Sequence, residues 1–330
     1  MSVEFVSAPQ PPVVEVVRSE VVEGRHHGAV VAIDPDGSVA WSVGDVTRPV
    51  LPRSCNKPLQ AVAIARLGLE LPSDLRALSS ASHWGEDFHV EGVRRILAGA
   101  GLDEDALQCP PDWPTAQAAR DALVRAGEGE TRVRMNCSGK HAAMLATCVL
   151  KGWPTESYLD PSHPLQAEIR AVVEEYTGEE AYVAVDGCGA PLLSTSLTGL
   201  ARAFSLVARG LSGTGAPDPA AAAVASAIRE HPAWVSGTGT SELALHDAVP
   251  GLIAKAGAEG CYAVGLADGR AFALKVDDGA ERARTVLMAA ALERSGVLDL
   301  PGVDAAAVRS TGEHVLFGGG RPVGLLRALV

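Results

Sequence analysis

Arg53-Ser54-Cys55-Asn56-Lys57-Pro58 holds the one Ser-x-x-Lys of the chain. Pro58 opens an apolar run at helical spacing over 58–69, and proline is tolerated only in the first turn of a helix, where its missing N–H has no partner to lose. The helix therefore starts close to Ser54, which sits in the positive field of the helix N-terminus. Lys57, three residues on, shares that face and reaches the hydroxyl. A serine alcohol is a poor nucleophile, but a desolvated lysine whose pKa is pushed down can take its proton. A helix cap followed by a solvated lysine would have the same residues, so the surroundings of the motif decide between the two.

Lysine is itself scarce. Only five of the 28 basic residues in this 330-residue chain are lysine: Lys57, Lys140, Lys151, Lys255 and Lys275. With Ala, Gly, Val and Arg abundant, this reads as a high-GC coding bias. Arg replaces Lys freely at solvated positions, and Lys persists where a compact amine able to lose its proton is needed. Apolar residues at 47% and charged residues at 21% exclude a largely disordered chain. A formal charge of −12 excludes the basic footprint of a nucleic-acid binder. No apolar run is long enough to span a membrane, and the opening Met1-Ser-Val-Glu-Phe5 lacks the basic and apolar regions of a signal peptide. Six dispersed cysteines fit reduced thiols, so a cytoplasmic protein is expected.

Working outward, β-branched runs at 13–17, 29–33 and 39–43 predict strands, the last two joined by the turn Asp34-Pro-Asp-Gly37. Helical spacing follows at 58–69, 90–100, 141–150, 165–176 and 192–209. The Gly/Ala/Pro-rich stretch 210–225 reads as a loop leading into a helix. Strands return at 261–267 and 271–276, then a helix at 279–294 and a hairpin over 314–330. The expectation is an α+β chain of one domain. Its mixed sheet comes from about 1–50 plus 250–330, with a helical region over about 54–230. No Gly-x-Ser-x-Gly elbow and no complete phosphate loop is present.

Two further elements follow the Ser-x-x-Lys in order. Ser82 lies in the small-residue turn 79–86, and Lys255-Ala256-Gly257 stands just before a strand. Ser-x-x-Lys, a middle Ser and Lys-x-Gly resemble the plan of serine β-lactamases and penicillin-binding enzymes. The resemblance then narrows. The stretches Arg25-His26-His27, Arg53-Ser54-x-x-Lys57-Pro58-x-Gln60 and Ala81-Ser82-His83-x-x-Glu86 take part. So do Asn136-Cys137-Ser-Gly-Lys140-His141, Asp186-Gly187-Cys188, His231-Pro232 with Gly237, and Lys255-x-Gly257-Ala258. Together they resemble the asparaginase II family, the type known from rhizobia.

That resemblance implies a serine β-lactamase-like fold, hydrolysis of L-asparagine to L-aspartate and ammonia, and a homodimer. It implies two Ser–Lys pairs, Ser54 with Lys57 and Ser82 with Lys255. Arg53, His83, Asp186 and Gly237 are expected around the substrate, with Arg53 or Lys255 facing its α-carboxylate and Asp186 its amino group. Cys137, Lys140 and Cys188 converge near the site in such proteins and can bind zinc, for which two soft thiolates are apt. A lysine ligand must lose its proton, which again requires Lys and not Arg. The plainer reading of this trio is two buried cysteines and a Lys–Asp pair. Trp84 departs from the pattern, since a small residue after His83 would leave more room. Lys151 and Lys275 fit structural roles better. The competing functions are a glutaminase or another β-lactamase-like serine amidohydrolase, and a non-catalytic amino-acid or zinc-binding protein.

Overall fold

A computed structural model describes Phe5 and residues 8–330. Met1–Glu4, on which most of the signal-peptide expectation rests, lie outside the described residues. Ten strands are formed: β1 Pro12–Arg18, β2 Val21–Ile33, β3 Val39–Val43, β4 Val183–Val185, β5 Pro191–Leu193, β6 Ile253–Gly257, β7 Cys261–Gly265, β8 Ala271–Val276, β9 Val315–Gly318 and β10 Arg321–Ala328. Eight of them make one antiparallel sheet in the order β6-β7-β8-β2-β1-β10-β9, with β3 against β2. Both chain ends thus build the sheet and the middle of the chain is helical, the α+β arrangement expected, but every strand pair is antiparallel and the sheet is not mixed.

Alternation along the central strands sorts their side chains between two cores. Val31, Ile33, Cys261, Ala263, Ala271 and Ala273 join the core shared with the helical layer. Their neighbours Val30, Ala32, Tyr262, Val264, Phe272 and Leu274 join the core under the helix Glu281–Arg294. Small side chains on the first face let the helix Leu197–Ala208 approach closely: a Cβ on Gly265 would lie 2.4 Å from the Phe204 carbonyl oxygen. No helix among the described residues is long and apolar enough to cross a membrane.

Two expectations about local structure are corrected. The apolar run at 192–209 is not one helix. Its first residues belong to β5, which pairs with β4 in a separate hairpin. The helix begins at Leu197 because Ser196 caps it, accepting from Gly199 N–H at 2.9 Å. Lys255-Ala256-Gly257 does stand just before β7, but it belongs to a strand of its own, β6, which the sequence did not suggest.

Candidate active site

The motif turn is built as its sequence suggests. Arg53–Asn56 forms a single 3₁₀ turn that runs into the helix Lys57–Arg66, with Pro58 in the first turn. Arg53 has φ 53°, a left-handed conformation that costs a non-glycine residue about 1 kcal/mol. Its Nε donates to Asp186 Oδ1 at 2.8 Å, which ties this turn to the β4–β5 hairpin. The β6 strand lies directly against the turn. Cys55 Sγ reaches the Lys255 carbonyl at 3.1 Å, and a Cβ on Gly257 would fall 2.5 Å from the Pro52 carbonyl oxygen. Glycine at 257 is what permits that approach.

Three of the five lysines are sealed inside this region. Lys57 and Lys140 are each 1% exposed and Lys255 is 0% exposed; Lys151 is exposed and Lys275 half-buried. Lys57 Nζ donates to the Ala81 carbonyl at 2.6 Å and to Ser82 Oγ at 2.9 Å. Burial pushes its pKa down; Cys137 opposes, and the nearby charges of Lys140 and Lys255 add to the depression. Lys255 Nζ donates to the Ala256 carbonyl at 2.9 Å and lies 3.4 Å from Glu242 Oε1. Glu242 also accepts from Ala256 N–H at 2.8 Å. Burial alone would raise the Glu242 carboxyl, but Lys255 beside it and that amide hold it below its ordinary value.

The pairing differs from expectation. Among the described residues the lysine bonded to Ser82 is Lys57, and Lys255 is bonded to Glu242 instead. Ser54 and Ser82 nevertheless line one cavity of about 540 Å³, together with Trp84, Asn136, Glu242 and Arg284. Lys57 follows Ser54 by one helical turn and donates to Ser82, but among the described residues no hydrogen bond links Lys57 Nζ to Ser54 Oγ.

Cys137, Lys140 and Cys188 do come together. Lys140 Nζ lies 3.2 Å from Cys188 Sγ. The neighbouring Cys137 sulfur, then the Lys140 charge and the His141 ring, overcome burial and pull the Cys188 thiol well below its ordinary pKa. The Cys188 sulfur, together with burial, pushes Cys137 well up, and the Cys137 thiol donates to Asn136 Oδ1 at 3.0 Å. Burial opposes a charge on Lys140, but the sulfurs of Cys188 and Cys137 outweigh it and raise its pKa. These shifts favour the proton on Lys140 and on Cys137 and its loss from Cys188. Among the described residues no three His, Cys, Asp or Glu side chains gather as a metal site. Nε2 of His141 is buried without a hydrogen-bond partner.

Of the residues expected around the substrate, Arg53 and Asp186 are bonded to each other, and Arg53 lines a different cavity with Arg48 and Glu259. His83 is fully buried and does not line the cavity of Ser54 and Ser82. Its Nδ1 accepts from Gly85 N–H, so Nε2 carries the proton and donates to Ser138 Oγ at 2.8 Å. His83 ties the turn after Ser82 to the start of the helix Ser138–Lys151. Gly237 has φ 145°, and a Cβ there would lie 2.7 Å from Trp84 Cβ. Its smallness makes room for Trp84, which occupies the cavity wall. Glu86 fastens the same loop by accepting from Thr238 N–H at 2.9 Å.

The sequence reading missed Glu242, Arg282, Arg284 and His314, all on the cavity wall. Glu242 stands in the first turn of the helix Ser241–Ala248, capped by Thr240. Nothing local separates it from an ordinary first-turn carboxylate.

Residues 14–328 match the sequence model of the family described as L-asparaginase II. No curated protein matches the chain. Among solved structures it is similar to a candidate β-lactamase from Bacteroides dorei (17% identity, 76% of this chain and 84% of that one, TM-score 0.42). It is also similar to a Bacillus glutaminase (12%, 82% and 91%, 0.45) and to a β-lactamase from Mycobacterium bovis (14%, 81% and 94%, 0.38).

Proposed function

We propose, from the premise that this chain belongs to the L-asparaginase II family and is an amidohydrolase, that its substrate is L-asparagine and that a serine acyl-enzyme carries the reaction. The observation that supports this is the Lys57 amine, buried, 2.9 Å from Ser82 Oγ, at a cavity that Ser54 also lines. A neutral amine has two N–H groups and one lone pair. The Ala81 carbonyl and Ser82 Oγ take the two N–H groups, which leaves the lone pair for an incoming proton.

Ser54 Oγ attacks the side-chain carboxamide carbon as its proton passes to Lys57 Nζ. Backbone amides at the start of the Ser54 turn stabilise the oxyanion. An N–H of Lys57 then moves to Ser82 Oγ as the Ser82 proton goes to the departing nitrogen. The C–N bond breaks, ammonia leaves and an aspartyl ester remains on Ser54. Water attacks that ester with the same groups in reverse and releases L-aspartate. Lys255, held by Glu242, is the second amine of the site.

Cys137, Cys188 and Lys140 would hold a zinc ion, with the unpartnered Nε2 of His141 beside them. The two sulfurs suit that metal, which on binding would have to displace the proton they favour on Lys140 and would supply Lewis-acid polarisation. Elemental analysis of protein purified without chelator is expected to show about one zinc per chain, and none would remove this part of the reading. A homodimer and a cytoplasmic location belong to the same proposal; light scattering and cell fractionation check them.

The deciding assay is ammonia release from asparagine and glutamine, run beside nitrocefin cleavage, on wild type and Ser54→Ala. The expected result is release from asparagine that Ser54→Ala loses. Near-full release by that variant would remove Ser54 as nucleophile, and nitrocefin cleavage without ammonia release would remove the asparaginase reading.

A further inference from the structure

An amino-acid substrate brings an α-carboxylate, and the two cations first expected to meet it are engaged elsewhere. Arg53 is bonded to Asp186 and lines another cavity; Lys255 is buried against Glu242. The guanidinium groups that do line the cavity of Ser54 and Ser82 are those of Arg282 and Arg284, on the helix Glu281–Arg294. Arg284 is bonded through one nitrogen, while its buried Nε has no partner. Its Nη1 donates to the Gly257 carbonyl at 2.9 Å and lies 3.7 Å from Glu281.

Arg282 is held differently. Its Nε donates to Nε2 of His26 at 3.2 Å, and Nδ1 of His26 lies 2.6 Å from Asp278 Oδ2. An arginine N–H can only donate, so Nε2 of His26 carries the lone pair and Nδ1 carries the proton, given to Asp278. A buried imidazole, 5% exposed, thus grips the guanidinium by one nitrogen and is itself held by Asp278 through the other. Among the described residues Arg282 makes no ion pair, and both its Nη groups lack a protein partner. Arg282 is exposed, so its unpaired fork meets solvent at the cavity wall, where it can take a carboxylate from outside. His26 comes from the Arg25-His26-His27 stretch, which the proposed reaction leaves without a task.

We propose that Arg282 binds the α-carboxylate of the substrate and that His26 and Asp278 position it. This rests on the amino-acid substrate argued above. Arg282→Ala should raise KM for L-asparagine about 10–100-fold, the loss of one charge-assisted contact, with kcat changed by less than threefold. Inhibition by L-aspartate should weaken by the same factor. Inhibition by β-alanine, which is L-aspartate without its α-carboxylate, should not change. His26→Ala should shift KM in the same direction by a smaller factor. The double variant should be no worse than Arg282→Ala alone, because both act through one contact. Loss of L-aspartate and β-alanine inhibition together, an unchanged KM, or additive effects of the two substitutions would overturn the assignment. A wild type that releases no ammonia from asparagine removes the proposed function and this inference with it, whereas an active wild type with an unaffected Arg282→Ala removes this inference alone.

Discussion

Two helices of the same layer, Lys57–Arg66 and Ser138–Lys151, each bury a lysine in their first turn, and the two amines move in opposite directions. Both are 1% exposed. Lys57 faces a carbonyl and a hydroxyl, and burial lowers its pKa. Lys140 faces the Cys188 sulfur at 3.2 Å, and the sulfurs outweigh burial and raise its pKa. Desolvation sets how much is at stake, and the neighbour sets the sign. One amine is suited to accept a proton and the other to hold a thiolate.

The largest expected break in this comparison comes from Lys57→Met, which keeps the stem and deletes the amine. Ammonia release from asparagine should fall by about 10³-fold, the range of a lost general base, with the melting temperature preserved or raised because a buried polar group is gone. Steady-state kinetics beside a thermal melt separates the two effects.

Cys188→Ala tests the other helix. It strands Lys140 in the interior without its counter-charge, and breaking a buried pair from one side costs about 3 kcal/mol or more. Urea denaturation should show that loss, and Cys188→Ala with Lys140→Met should recover much of it. Equal losses in the single and double variants would mean that the pair does not exist.

A third test asks whether burial outweighs a neighbouring carboxylate at an imidazole, as it outweighs Cys137 at Lys57. Burial holds His89 and His246 at about 4, and pushes His83 well down. Above the ordinary value of 6.5 these rings are neutral in both folded and unfolded chains. As pH falls through 6.5 the unfolded chain takes up protons that the folded one refuses, so stability drops, down to about pH 4 for His89 and His246. At pH 5.5 each of those two should cost about 1.4 kcal/mol. Urea midpoints at pH 7.5 and 5.5 measure this, and a flat profile would contradict it. The smallest effect belongs to the exposed Lys151 in the last turn of the second helix, where Lys151→Ala should cost under about 1 kcal/mol and leave activity unchanged.

Much of the candidate site was legible because its chemistry is written in rare residues. The scarcity of lysine singled out five positions, and the three that lie in motifs are the three that are buried. Pro58 marked the helix start beside Ser54. The partners were not legible. Ser82 was matched with Lys255, but its hydrogen bond runs to Lys57, 25 residues away in sequence. Glu242 and Arg282 look like ordinary surface residues until folding brings them to the cavity. The run 192–209 was misread because β5 and the following helix are both apolar, although the Ser196 cap between them was a usable signal.

What the sequence determined by itself is whatever depends on near neighbours along the chain: strand and helix periods, the turn that presents Ser54, and the short list of candidate lysines. Only the tertiary structure decided which lysine touches which serine, which amine is pushed down or up, and which arginine keeps a free fork. Hydrogen bonds act over about 3 Å, and electrostatic strength follows the local dielectric. Both are set by segments far apart in sequence, such as His26 and Arg282, meeting in space.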